Sequence, residues 1–234
     1  MLYSGIAPVT DGDVVVRPAN DVSIVYDSLA EVNGRLFATR DSDLYELDPA
    51  TGAETGRFGL PVNEFGSEVE VVWTPLVADG DHLWVTIADG GDWLLTRLDV
   101  AQGTFDLQAK IDSDSESAVL AGGRVWVADR RGSLSWIDIS TGRRTEVDSG
   151  FPKGDTVLDS EPSLFVGSDG SLWALDQPAQ VVSQLDLTDG TVIASYRLKF
   201  RPSNMVATAT ELVFANSYDD RITLLPRSAL EPAG

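Results

Sequence analysis

Residues 123–142, Gly-Arg-Val-Trp-Val-Ala-Asp-Arg-Arg-Gly-Ser-Leu-Ser-Trp-Ile-Asp-Ile-Ser-Thr-Gly, decide how the rest of the sequence is interpreted. An apolar run at 124–128 is followed by a polar loop at 129–132 and by a second run at 133–139. Short runs that are rich in β-branched and aromatic residues and bounded by glycine turns are typical of β-strands. The stretch therefore predicts a β-hairpin that ends in the turn Thr141-Gly142.

Two landmarks of this hairpin recur along the chain. The first is an aromatic residue within an apolar run, and its copies are Phe37, Trp84, Trp126, Trp173 and Phe214. The second is an apolar-Asp pair that leads into a glycine turn, and its copies contain Asp48, Asp99, Asp138 and Asp186. A period of about 40 to 50 residues with several short strands in each unit is typical of the blades of a β-propeller. Helical repeats would need apolar residues at a 3.6-residue spacing, which the sequence does not show.

The sequence thus predicts an all-β protein, residues 1–234, folded as a single β-propeller domain of about five four-stranded blades. The predicted repeats are 29–60, 69–111, 117–148, 163–199 and 203–227. The fifth repeat has three strand-like segments, so we expect a strand at 13–17 to complete the last blade, because unpaired edges are a liability. The alternative is a fragment of a larger ring of about six to eight blades, with residues 1–28 as the tail of a preceding blade.

Charge and composition narrow the classes of partner. Lys and Arg number 17 against 37 Asp and Glu, and the net charge of −20 opposes binding to nucleic acid or to anionic lipid. The chain has no cysteine, so it has no disulfide and no thiolate metal site. No segment resembles a signal peptide or a membrane span. We expect a monomer without membrane insertion whose acidic surface can accept a basic partner, and the ending at 230–234 suits a piece excised from a longer protein.

The motifs also resemble those of a known superfamily. The motifs concerned are Phe214-Ala-Asn216 ahead of Ile222-Thr-Leu224 and the turns at 47–52 and 137–142. They are similar to motifs of the bacterial YVTN-type and quinoprotein-like (PQQ-type) propellers, and the resemblance covers residues 29–226. The resemblance implies the propeller fold, and we expect a bacterial, extracytoplasmic protein. It implies no single function, because members range from enzymes to scaffolds and function lies in the site.

Candidate catalytic and metal-binding residues are few. His82 is the only histidine and has no Gly-x-Ser-x-Gly motif to accompany it, which argues against the histidine-dependent activity of streptogramin-lyase-like relatives. Lactonase-type propellers hold a divalent ion with Glu, Asn and Asp, but the candidates here match no ligand spacing; they are Glu31, Glu161, Asn204 and Asn216. The run 112–116 alternates carboxylates as in a calcium loop, yet it lacks the glycine and the distal glutamate of that loop and predicts an acidic loop instead. The chain also lacks the vicinal cysteines of quinone-dependent relatives. We predict no catalytic residue, no metal and no cofactor.

The stronger candidate is a set of loops. In a propeller the loops that join the second and third strands of the blades share one face, and each of these loops carries Asp. Clustered carboxylates attract cations and basic segments, although Asp also stabilises tight turns by bonding its own backbone, so a purely local role stays open. The predicted binding residues are Asp41, Asp43, Asp89, Asp92, Asp129, Arg130, Arg131, Asp176, Tyr218, Asp219 and Asp220. The sequence therefore predicts a non-catalytic scaffold that recognises a protein or a glycan through these loops, and the alternative is a metal-dependent lactonase or lyase.

Overall fold

The computed structural model describes residues 9–10, 13–14, 27–58, 60, 69–72, 75–89, 91–113, 115–150, 162–216 and 221–232. Within these ranges the regular structure is β-strand apart from one short 3-10 turn at Arg227–Ala229. The chain divides into two compact units, Met1–Gln108 and Ala109–Gly234.

The first unit begins with a small hairpin of β1 (Val9–Thr10) and β2 (Asp13–Val14). The next sheet has its strands in chain order, and they are β3 (Ser28–Val32), β4 (Arg35–Arg40), β5 (Asp43–Leu47) and β6 (Glu54–Phe58). The strands of the following sheet are β7 (Glu70–Val71), β8 (Val77–Asp79), β9 (His82–Asp89), β10 (Asp92–Asp99) and β11 (Thr104–Ile111). Both β7 and β8 pair with β9, so they form the first strand of that sheet in two pieces.

The sequence predicts one continuous strand over 71–77 at this position. Pro75 lies between the two pieces. Because proline lacks an N–H group and restricts the residue before it, it does not continue a paired strand. The interruption is therefore local in origin.

The second unit contains three further sheets whose strands also follow chain order. The strands of the third sheet are β12 (Ser115–Ala121), β13 (Arg124–Asp129), β14 (Leu134–Asp138) and β15 (Arg144–Val147). Those of the fourth are β16 (Pro162–Val166), β17 (Leu172–Asp176), β18 (Val181–Leu185) and β19 (Val192–Arg197). Those of the fifth are β20 (Asn204–Ala207), β21 (Glu211–Asn216) and β22 (Arg221–Pro226). A last strand, β23 (Glu231–Pro232), pairs with β19 of the fourth sheet.

Each sequence repeat thus folds into one antiparallel sheet, and the predicted all-β, five-bladed propeller fold is confirmed. The last blade has three strands within the part of the chain that the structure describes. Of the predicted closing strand, residues 15–17 lie outside the described ranges, while Asp13–Val14 pair with Val9–Thr10 rather than with β22. The single-domain organisation stays a prediction.

Four of the aromatic landmarks, Phe37, Trp126, Trp173 and Phe214, are buried in clusters that neighbouring sheets of a unit share. Trp126 is fully buried in one cluster with Leu164 and Leu172 of the next sheet. Phe37 is buried in the same way against Val71 and other residues of the second sheet. The indole N–H of Trp126 donates a hydrogen bond to the backbone carbonyl of Ala121 at 3.2 Å, so the polar atom of this buried side chain is paired. Burial of these large side chains contributes to the apolar stabilisation of the fold.

The fifth landmark differs from the others in its direction. In β17, Leu172 packs toward the third sheet, whereas Trp173 packs toward the fifth. In β21, however, Phe214 lies in the same cluster as Trp173, so it points back toward the fourth sheet and contacts Phe200 edge to face. Since strand side chains alternate, Val213 takes the outward direction that Trp173 takes in its own strand. Phe214 is therefore one residue out of register with the other landmarks, which the sequence spacing did not reveal.

Candidate binding site

In the first unit the two Asp-bearing loops, β4–β5 and β9–β10, lie at the same end of their sheets. We call this end the loop side. The Ser42 carbonyl, in the β4–β5 loop, accepts a hydrogen bond from the N–H of Val71 in β7 at 2.9 Å. The neighbour of Val71 in β7, Glu70, pairs with Ala88, which directly precedes Asp89 at the end of β9. The β4–β5 and β9–β10 loops are therefore adjacent. They carry the predicted residues Asp41, Asp43, Asp89 and Asp92.

In the second unit the corresponding loops also share a side. Leu164 donates its N–H at 2.7 Å to Ser117, which lies beside the end of β13. Gln177, in the β17–β18 loop, donates to the carbonyl of Ser203 at 3.3 Å, and the N–H of Ser203 bonds to β21 near its end. The structure thus brings together the loops that carry Asp129, Arg130, Arg131 and Asp176. Tyr218, Asp219 and Asp220 lie outside the described residues.

Two of the predicted carboxylates act within their own turns. Asp129 is 8% exposed and accepts hydrogen bonds from the backbone N–H groups of Arg131 at 2.9 Å and Ser133 at 2.8 Å. Asp176 is 1% exposed and accepts one from Ala179 at 2.9 Å. This is the local role that the sequence left open, because a short carboxylate that bonds the following backbone fixes a tight loop.

The β4–β5 loop contains carboxylates in two different environments. Asp43 pairs with Arg57 at 2.5 Å and accepts a hydrogen bond from the hydroxyl of Tyr45. Asp41 is 84% exposed in its side chain and lies 3.4 Å from Arg40. Arg40 is also hydrogen-bonded to Glu54, and that bond is the largest cause of a raised pKa at Arg40. In this loop, therefore, the Asp43 carboxylate binds side chains of its own sheet, and the Asp41 carboxylate is exposed to solvent.

A cavity of about 250 Å³ lies at the base of this loop, and the described residues that line it are Asp27, Thr39, Asp41, Ser42 and Val71. Thr39 is 2% exposed, and its Oγ1 makes no hydrogen bond to any residue that the structure describes. Asp41 and Ser42 both have positive φ, 52° and 67°, which is uncommon for residues other than glycine. Sequence reasoning missed Asp27 and Thr39, because a threonine in a strand pattern is ordinary and gives no signal of its own.

A second cavity, of about 110 Å³, lies in the second unit beside Asp129. Its charged residues include Arg144, which bonds Asp112 at 2.5 Å and the Ser135 hydroxyl at 3.2 Å. The carboxylate of Asp112 is therefore already paired with the guanidinium group of Arg144. Of the remaining calcium-like run, Asp114 lies outside the described residues.

His82 lies at the opposite end of its sheet, at the start of β9. Its Nδ1 is 2.6 Å from Asp81 and its Nε2 is 3.8 Å from Asp106. Asp106 accepts two hydrogen bonds from Arg97, and these hold the pKa of Asp106 below its usual value. His82 is thus a partly exposed strand-end residue beside Asp81 and beside an Asp106 carboxylate that is already paired with Arg97.

The lactonase-type residues do not form a ligand set in the described ranges. Glu31 accepts the backbone N–H of Gly34 at 3.1 Å in the β3–β4 turn, and Glu161 lies outside those ranges. Across the part of the chain that the structure covers, no group of three or more His, Cys, Asp or Glu is placed to hold a metal ion. Over the same part, no helix has the length and apolar character needed to cross a membrane.

Comparisons with known proteins identify the fold and no family. No family model matches the sequence, and no curated protein matches it. BamB from Moraxella catarrhalis is 18% identical with a TM-score of 0.57, and the match covers 91% of this chain and 62% of BamB. The extracellular domain of a putative one-component system from B. thetaiotaomicron is 14% identical with a TM-score of 0.67, covering 95% and 32% respectively. The β-propeller domain of Cps50 (Swd1) from Myceliophteria thermophila is 14% identical with a TM-score of 0.62, covering 90% and 69%.

At these identities the likeness establishes the β-propeller fold alone. The chain spans less than two thirds of the length of BamB and of the extracellular domain.

Proposed function

We propose that the chain is a non-catalytic binding domain that recognises a protein partner through the loops between the second and third strands of its blades. The observation that carries this proposal is the gathering of these loops on one side of each unit. Their backbones are fixed by internal carboxylates such as Asp129 and Asp176. Exposed charged side chains such as Asp41 and Arg131 remain at the surface.

A rigid loop set on a buried sheet lowers the entropic cost of binding, because less ordering is needed when the partner arrives. The net charge of −20 favours a partner with a basic surface, since electrostatic complementarity speeds encounter and sets specificity. The proposal includes an extracytoplasmic location and a place among the YVTN-type and quinoprotein-like propellers. The extracellular origin of one structural neighbour supports that location.

The test uses paired charge removals at the two ends of the same sheets. Asp41→Asn with Asp92→Asn removes two charges from the loop side, and Glu31→Gln with Asp81→Asn removes two from the opposite side. Each variant is measured on an array of synthetic peptides of graded net charge. We expect the wild-type chain and the Glu31/Asp81 variant to retain the same basic peptides, and the Asp41/Asp92 variant to lose them. Equal losses in both variants would show that net charge alone acts and would refute the proposal, and so would no loss in either.

A glycan partner is an alternative outcome of the same design. The variants are also measured on an array of neutral and charged oligosaccharides. If the Asp41/Asp92 variant loses binding to oligosaccharides but still binds the same peptides as the wild-type chain, the proposal of a protein partner is wrong.

A further inference from the structure

The turn between β3 and β4 contains the dipeptide Asn33-Gly34, which is the single Asn-Gly of the sequence. Val32 and Arg35 pair across the hairpin, so Asn33 and Gly34 form a two-residue loop between them. Both loop residues are exposed and have positive φ, 51° and 76°. The turn therefore presents its backbone and its amide side chain to solvent, at the end of the sheet opposite the loop side.

We infer that this turn is a site of spontaneous deamidation, which is independent of the proposed function. Asparagine is a chemically labile residue. The backbone nitrogen of Gly34 attacks the side-chain carbonyl carbon of Asn33, and its proton passes through water to the departing amide nitrogen, which leaves as ammonia. A cyclic imide (succinimide) remains in the main chain. Water then opens the ring at either carbonyl, which yields aspartate or isoaspartate, and no oxidant or reductant takes part.

The attacking nitrogen is accessible in the folded hairpin. The N–H of Gly34 donates to the exposed carboxylate of Glu31 at 3.1 Å, outside the ladder of paired residues, which ends at Val32 and Arg35. A Cβ added at Gly34 would meet no atom within 4 Å in the described structure, so the space around this backbone is open. Glycine lacks the side chain that would otherwise hinder the close approach of another group to its nitrogen.

The other two asparagines that the structure describes are held differently, and they serve as internal controls. The side-chain oxygen of Asn204 accepts the backbone N–H of Met205 at 2.7 Å. Met205 is 3% exposed and pairs with Phe214, so its nitrogen is fixed within the sheet. Asn216 is 9% exposed at the end of β21. We therefore expect deamidation at Asn33 and not at Asn204 or Asn216.

The two products should affect the first sheet differently. Aspartate keeps the length of the turn, whereas isoaspartate carries the main chain through an extra methylene group, and a two-residue loop depends on its length and its φ values. A longer turn displaces Arg35, whose guanidinium bonds Glu46 at 2.8 Å and the carbonyl of Val100 at 2.7 Å. The bond to Val100 joins the first and second sheets, so the isoaspartate product should be the less stable of the two.

The test incubates the full chain in neutral and in mildly alkaline buffer, beside a blocked peptide of residues 30–37. Peptide mapping by mass spectrometry follows the loss of each amide, and chromatography separates isoaspartate from aspartate. We expect Asn33 in the folded chain to react no more than about tenfold more slowly than in the peptide, because loops open at little cost in free energy. The rate should rise about tenfold for each pH unit, because the deprotonated amide is the nucleophile and a very weak acid ionises in that proportion.

Two variants complete the test. Asn33→Asp supplies the aspartate product as a homogeneous reference, and the isolated isoaspartate fraction should unfold at a lower urea concentration than this reference. Asn33→Ser removes the amide, so its digest should show no conversion at this position.

Three results would overturn the inference. If Asn33 keeps its amide while the peptide reacts, the folded turn prevents the reaction. If Asn204 or Asn216 reacts as fast as Asn33, the turn has no special reactivity. Equal urea midpoints for the isoaspartate fraction and for Asn33→Asp would refute the connection between the length of the turn and the contacts of Arg35.

Discussion

Gly190 closes the turn after β18, and its replacement tests how the third and fourth sheets pack. Its φ is +77°, and an added Cβ would lie 2.7 Å from Cγ1 of Val147, 2.8 Å from Cζ3 of Trp126 and 3.2 Å from Cδ2 of Leu134. The left-handed backbone costs an L-residue about 1–2 kcal/mol, and an overpacked core costs about 1–3 kcal/mol. We therefore expect Gly190→Ala to lower the free energy of unfolding by about 2–5 kcal/mol.

Gly170→Ala is the matched control for this substitution. Gly170 also closes a turn in the second unit, with a φ of +78°, but nothing lies within 4 Å of an added Cβ. We expect it to cost the backbone contribution alone, about 1–2 kcal/mol. The difference between the two variants therefore isolates the packing contribution.

Urea unfolding measures both variants, and the comparison is valid if the m-values agree, because an altered m-value signals a change in the denatured or native state. Equal losses for Gly190→Ala and Gly170→Ala would refute the packing argument. A second check adds Val147→Ala to Gly190→Ala. Because the smaller side chain makes room for the new Cβ, the double variant should be more stable than the sum of the two single losses predicts.

Three further predictions follow from contacts elsewhere in the fold. Trp126→Ala should cost about 3–5 kcal/mol in urea unfolding, because it empties a fully buried aromatic site, and a loss below 1 kcal/mol would contradict its place in the core. Arg35→Lys should cost about 0.5–1 kcal/mol in the same assay, because lysine cannot reproduce the two parallel bonds to Glu46 and both side chains are partly exposed. Arg97 lowers the pKa of Asp106, so the folded state binds fewer protons there than the unfolded state; stability is present above about pH 4 and falls with pH below it. Arg97→Leu should make the urea midpoint depend less steeply on pH in that range, and an unchanged slope would contradict the assignment.

The strands were predictable because their signals are local. The strand-like segments at 104–111 and 144–147 of the sequence coincide with β11 (Thr104–Ile111) and β15 (Arg144–Val147). The turns between them contain residues such as Asn33 and Gly34, both with positive φ, and these residue types mark hairpins in the sequence itself.

The direction of the fifth aromatic was not predictable in the same way. Phe214 has a spacing close to that of the other landmarks, yet it faces the preceding sheet. A shift of one residue in a strand reverses the face of every side chain, and a spacing that varies between repeats cannot resolve a single residue. The direction follows from packing with side chains outside its own strand: Phe214 shares a buried cluster with Trp173 of the fourth sheet and contacts Phe200.

The candidate site was predictable as a set of loops but not as a set of contact groups. From the sequence alone, the same role is predicted for Asp41, Asp129 and Asp176, because each is an Asp in a short polar loop. In the structure Asp129 and Asp176 are buried turn acceptors, while Asp41 is exposed. Which of these roles a carboxylate takes depends on the backbone angles that follow it, and residue type alone does not determine them.

The side of the sheets opposite the loops has a different chemistry, which supports the assignment of binding to the loop side. Arg35, at the start of β4, donates to the carbonyl of Val100 in the turn after β10 of the next sheet. Arg124, at the start of β13, donates in the same way to the carbonyls of Leu187 and Thr188 in the turn after β18. On that side these two arginines join neighbouring sheets within each unit. On the loop side the Asp41 side chain is 84% exposed, and a substitution at such an exposed loop position can change recognition of a partner while the blades stay intact.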